Sequence, residues 1–202
     1  SYCNKDEART KTMELTRYPG TTTTKTELSG KQFIDGIFLA TSGLVMSQLN
    51  ELTGLKTPAL QNWVNRGFLS RPENKKYNKE QTARILIINF LKQGMSLDDI
   101  SKLLFFVNGK TDDLGDDIIS ESELYGYICD VIFDSKFSYR TVEPLIEEKL
   151  LPYNERFSGA KERLKKALSV ICYCYLGETL LSRSHEILKG LDESNIFGDK
   201  RG

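Results

Sequence analysis

Residues 46–77 read MSQLNELTGLKTPALQNWVNRGFLSRPENKKY, and the punctuation of this stretch decides the fold. Leu49 and Leu52 stand three apart ahead of Gly54, which predicts a short helix from about Val45, stopped by a residue that adopts left-handed backbone cheaply. Thr57 is the expected cap of a second helix. Pro58 suits its first turn, where the N–H that proline lacks has no partner in any case, and Gly67 ends it. Two helices joined by about three residues make a helix-turn-helix candidate. The next segment, Phe68 to Tyr77, contains Pro72 and has room only for a β-hairpin wing.

At about 100° per residue, Leu60, Trp63 and Val64 fall on one side of the second helix and Gln61, Asn62 and Asn65 on the other. The first set is expected to pack, with Trp63 as a core anchor. Carboxamides can pair bidentately with the major-groove edge of adenine, so the second set reads as candidate base contacts. An amide row alone is equally consistent with a solvated surface. Weight is added by Arg66, Arg71, Lys75 and Lys76, which surround the row and could neutralise phosphates. The helix start at Thr57 adds free N–H groups suited to a phosphate oxygen.

Working outward, Asn78 with Gln81 predicts a capped helix reaching about Gln93, whose Ile85, Leu86, Ile87, Ile88, Phe90 and Leu91 cover most of its circumference and so require burial on several sides. Ser96 with Asp99 caps the next helix, which buries Leu97, Ile100, Leu104 and Val107. Ser120 with Glu123 caps a further one carrying Leu124, Tyr127, Ile128 and Val131. Another follows around Val142 to Leu150, and a long helix runs from about Gly159 to Lys189. In that last helix Leu164, Leu168, Ile171 and Tyr175 alternate as a heptad seam would, consistent with either a dimer seam or a bundle core.

Residues 1–36, rich in Thr, Lys and Gly without a sustained period, read as an N-terminal arm. The expected organisation is this arm, a winged helix-turn-helix over 37–108, an acidic linker over 109–119 and a helical C-terminal domain over 120–202 for dimerisation or effector binding. The fold class is mainly α.

The 202 residues are 39% hydrophobic and 28% charged, ordinary globular values, and formal net charge is zero. Charge is nevertheless segregated: eight bases face two acids between Lys56 and Lys92, and two bases face ten acids between Met95 and Asp134. No apolar run reaches the length of a membrane span and no secretory leader opens the chain, so a cytoplasmic location without membrane contact is expected. Cys3, Cys129, Cys172 and Cys174 form no CxxC pair, and His185 is the one histidine, so no metal site, cofactor or disulfide framework is expected. The acids from Asp112 to Glu123 lack the ligand order of an EF-hand. No glycine-rich phosphate loop or G-x-S-x-G motif appears, and enzymatic activity is not expected.

Met46 to Leu55, Leu60, Trp63, the run Arg66-Gly67-Phe68-Leu69, Lys75 and Tyr77, and the run Gln93 to Ile100 with Leu103-Leu104 together resemble the MerR winged-helix pattern over about Val45 to Val107. The chain resembles still more closely an uncharacterised bacterial domain-of-unknown-function family in which such a module precedes an acidic segment and a helical C-terminal part. The MerR resemblance implies a homodimeric, DNA-binding transcriptional regulator acting on double-stranded DNA. It places Gln61 and Asn62 at the groove and Lys75 at the wing arginine of an R-x-Y motif that ends at Tyr77. A different class is a non-enzymatic protein-interaction adaptor on the same scaffold. A third reading is a small-molecule effector sensor with a pocket formed by Tyr125, Tyr127, Tyr173 and Tyr175.

Overall fold

The structure, a computed structural model, describes residues 16–109 and 117–193. The arm up to residue 15, most of the acidic linker, Cys3 and the last nine residues therefore lie outside the described residues.

Helix α2 (Met46–Thr53) begins where Gln48 reaches back to accept the Val45 N–H at 3.0 Å, and it ends at Gly54, whose φ of 70° is left-handed, as its glycine announces. After a three-residue turn α3 (Thr57–Asn65) follows. Its N-cap is Lys56 and not the expected Thr57, which is the first helical residue. Thr57 Oγ1 is instead engaged by the Asn50 side chain at 2.8 Å, and that amide also bridges the Met46 and Leu55 carbonyls, tying the turn together.

Helix α4 (Lys79–Leu91) has the expected Asn78–Gln81 capping box, and every residue from Thr82 to Ile88 is buried. Against it pack α1 (Gly30–Ile37), α5 (Leu97–Asn108), α6 (Glu121–Ile132) and α8 (Ala160–Glu193), while α7 (Val142–Lys149) packs on α6 and α8. Ser96 and Ser120 cap α5 and α6 as their sequence contexts predict. The only sheet among the described residues pairs β1 (Leu44–Val45) antiparallel with β2 (Lys76–Tyr77). No described helix is long and apolar enough to cross a membrane.

The arm expectation is corrected over its described part. Residues 17–24 form a tight turn closed by an Arg17–Thr24 bridge, and 30–37 form α1, capped by Ser29 with Gln32. Tyr18 and Ile34 are buried in the core, and α1 packs on α6. Asn89, which interrupts the apolar run of α4, donates to the Gly20 carbonyl at 2.7 Å and to the Thr53 carbonyl at 3.0 Å, fastening the turn to the end of α2. Buried residues before and after the acidic linker likewise belong to one cluster, because α6 packs on both α1 and α4.

Gly20 sits at φ 71°, and a Cβ there would lie 2.0 Å from the Leu86 carbonyl oxygen. Left-handed strain and overpacking against rigid backbone together predict that Gly20→Ala lowers unfolding free energy by about 2–4 kcal/mol, read in a denaturant melt. A wild-type midpoint would mean that the turn is not docked on α4.

Candidate nucleic-acid interface

Helix α3 is held by Leu60 and Trp63, both almost fully buried, so the opposite face must point outward. Gln61, Asn62 and Asn65 are all exposed there, and none forms a side-chain hydrogen bond with another described residue. The N-terminal turn that packs nearby covers the other end of the motif: Thr22 N–H donates to the Leu52 carbonyl at 2.9 Å, at the end of α2.

The wing differs from the expected free-standing hairpin. Its two arms share a single bridge, Glu73 to Lys76, and Lys76–Tyr77 pairs with Leu44–Val45, a strand that precedes α2. Two residues are too few to announce themselves as a strand in sequence. Asn74 and Lys75 at the tip have φ of 49° and 62°, the two-residue turn with positive φ at both positions that suits hairpin twist. Asparagine tolerates this backbone; lysine does so at a cost of about 1 kcal/mol. The base of the wing is clamped by Gln81, whose Nε2 donates to Ser70 Oγ at 2.8 Å and the Arg71 carbonyl at 3.0 Å while its Oε1 accepts the Asn78 N–H. Gln81 was readable as a cap but not as a wing support, since the partners lie ten residues away.

Among the cations, Arg71, Lys75 and Lys76 are exposed and make no ion pair with a described residue. Arg66 is exposed but already committed: it pairs with Asp98 of α5 at 2.9 Å and lies over the Phe68 ring at 4.5 Å. Between Lys56 and Lys76 there are five cations against one carboxylate, Glu73. Of the expected site residues, Gln61, Asn62, Asn65, Arg71, Lys75 and Lys76 are thus exposed without a side-chain partner among the described residues, and Arg66 is exposed but paired.

Two expected contacts are withdrawn from it. Tyr77 is 2% exposed, because β2 turns its side chain into the core beside α4, and burial raises the phenol's pKa. Thr57 is half-buried and bonded to Asn50. The tyrosine pocket is also corrected. Tyr125 is wholly buried with its hydroxyl on the Pro19 carbonyl at 2.9 Å, Tyr127 packs on Tyr153, Tyr173 on Tyr139, and Tyr175 on Phe90 and Phe137. These are four separate environments and not one lining.

Arg84, one of the bases of the basic block, is missed by sequence reading. It is 6% exposed, its Nε donates to the Phe68 carbonyl at 2.8 Å, and its guanidinium pairs with Glu121 at the start of α6. One turn earlier, Glu80 accepts from the Ser122 N–H at 2.8 Å and hydroxyl at 2.7 Å. The segment leading into the wing is thereby fixed to the first turn of α6.

Residues 30–128 match the family described as Domain of unknown function (DUF1836). That span opens at the first residue of α1 and ends within α6, helices that pack on each other. The chain is also similar to a protein of Bacillus subtilis (strain 168) described as "Uncharacterized protein YkrK", 36% identical over 102 residues that cover 46% of this chain and 44% of the relative. The match thus spans less than half the length of that relative. No solved structure matches.

Proposed function

We propose that residues 37–108 are a MerR-like winged helix-turn-helix that binds double-stranded DNA, and that the chain is a transcriptional regulator acting as a homodimer. The observation that carries this reading is the solvent-facing amide row of α3, which makes no side-chain hydrogen bond with a described residue and is backed by the buried Leu60 and Trp63. Gln61 and Asn62 read base edges in the major groove, and Arg71, Lys75 and Lys76 hold the phosphate backbone beside it. Lys75 supports the assignment from a second direction. A cation kept in left-handed backbone at a hairpin tip, where glycine would be less strained, fits a side chain retained for contact.

Selection from a random-sequence duplex library tests the reading. Recovered sites should share a common core, and affinity of the dimer should fall with salt at a log–log slope of about −5, roughly −0.9 for each phosphate met by Arg71, Lys75 and Lys76 of the two copies. No enrichment, or a flat salt response, rejects it.

A further inference from the structure

Charge is divided along the chain, eight bases against two acids from Lys56 to Lys92 and two bases against ten acids from Met95 to Asp134. Among the described residues, two ion pairs join these blocks. Arg84–Glu121 is buried, its side chains 7% and 12% exposed, and belongs to the core. Arg66–Asp98 is open to water, its side chains 43% and 69% exposed and joined at 2.9 Å between Nη2 and Oδ1. The open pair lies at the end of α3, beside the amide row.

Arg66 closes α3 with helical backbone (φ −86°, ψ −1°), so it stands one turn beyond Asn62 on the same exposed face. Its guanidinium lies over the Phe68 ring at 4.5 Å. Phe68 is buried and its carbonyl accepts from Arg84 Nε at 2.8 Å, which makes the ring a fixed platform. The cation is therefore positioned from below, whether or not Asp98 holds it. Asp98, in the first turn of α5, engages one of the guanidinium's five donors and has no other hydrogen bond or ion pair with a described residue.

We propose that Arg66 is a further phosphate contact of the DNA surface and that Asp98 is its internal competitor, a carboxylate that occupies the guanidinium until a backbone phosphate displaces it. This deepens the DNA-binding reading and rests on it. A guanidinium offers carboxylate and phosphate the same planar fork, so the two compete for one set of donors. A phosphate on Arg66 would also lie well within the Debye length of Asp98, about 10 Å at 0.1 M salt, and like charges so placed repel. Sharing is thus unfavourable and exchange is easy: an exposed pair of this kind resists opening by a factor of only about 1.5 to 5. The buried Arg84–Glu121 pair has no such freedom, because opening it strands a charge in the core. Asp98 thereby lowers affinity for every sequence alike and leaves base readout by the amides unchanged.

The test measures binding of the full chain, across a salt series, to a duplex recovered from the library and to a random-sequence duplex pool. Wild type is compared with Asp98→Asn, Arg66→Met and the double variant. Asp98→Asn should tighten binding to both duplexes about 2- to 20-fold near 0.1 M salt, one pair being released in each copy, and Asp98→Ala should do the same. Arg66→Met, whose stem can still cover Phe68, should weaken both and flatten the log–log slope by roughly 2, while Arg66→Lys should keep the slope. Counting Arg66 with Arg71, Lys75 and Lys76 steepens the wild-type slope to about −7. In the Arg66→Met background the gain from Asp98→Asn should vanish, which is the mark of a residue acting through its partner. Denaturant melts of every variant report an intact fold. A gain that persists without Arg66 is general repulsion and overturns the competition, as do Asp98 variants that bind no better than wild type. A loss from Arg66→Met on the recovered duplex but not on the pool overturns the phosphate contact. These outcomes leave the proposed function in place, whereas wild type that ignores both duplexes overturns both readings.

Discussion

Replacing Arg84 with methionine should lower unfolding free energy by about 3–5 kcal/mol at neutral pH, because it leaves the Glu121 carboxylate buried without its cation. Glu121 sits at the first position of α6 with a second carboxylate oxygen that has no hydrogen-bond partner among the described residues. Burial raises its pKa above the usual carboxylate value, and Arg84 is the chief opposing influence. A carboxyl whose folded pKa is raised contributes stability that is present below its unfolded pKa and lost as pH rises through the folded one. Removing Arg84 lifts the folded pKa further, so the deficit of the variant should be largest near pH 8 and shrink towards pH 5, where Glu121 can take up a proton. Denaturant melts of both proteins at those two pH values measure this. An equal deficit at both would mean that Arg84 acts through its Phe68 hydrogen bond and its packing alone. Adding Glu121→Leu to the methionine variant should restore much of the loss, since an apolar pair has no charge to strand.

Arg84 also marks where sequence reading ran out. The local devices were legible because each is written in three or four neighbouring residues: Asn78 with Gln81, Ser96 with Asp99, Ser120 with Glu123, and Gly54 after Leu52. The amide face of α3 was legible for the same reason, since Leu60 and Trp63 orient the helix and leave Gln61, Asn62 and Asn65 outside. What depended on distant partners was not. Ser29 with Gln32 carries the same cap signature, but α1 is only eight residues long and its burial comes from α6, about ninety residues on. A charged side chain in a basic block reads as solvated unless Phe68 and Glu121 are already known to converge on it. Tyr77 looked like part of a wing because strand alternation over two residues cannot say which side faces the core. The split at the acidic linker followed composition, whereas the buried cluster follows the contacts of α6. In α8 the seam of Leu164, Leu168 and Ile171 was legible, and burial assigns it to the core of one chain.

Reversing the charge at Arg71 and Lys75 together, each to glutamate, should reduce DNA affinity by at least on the order of 100-fold near 0.1 M salt for every sequence tested, and should flatten the log–log salt slope of the dimer by roughly 4, two contacts in each copy. The backbone argument makes this a clean comparison. Lys75 has φ of 62°, and glutamate bears the same left-handed penalty as lysine, so the hairpin should lose little stability and the change in binding reports charge. Both side chains are exposed and unpaired among the described residues, so no internal ion pair is broken. Gln61→Ala supplies the contrast. Its amide is expected to read a base edge, so the loss should be confined to particular positions of the selected site, about 1–3 kcal/mol of discrimination, with the salt slope unchanged. Melts and sedimentation of all variants separate a lost contact from a lost fold or dimer. If the double reversal left affinity intact while Gln61→Ala weakened every sequence alike, the hairpin would not lie along the phosphates and α3 would not enter a groove. The assignment of this surface to DNA would then fail at both of its parts.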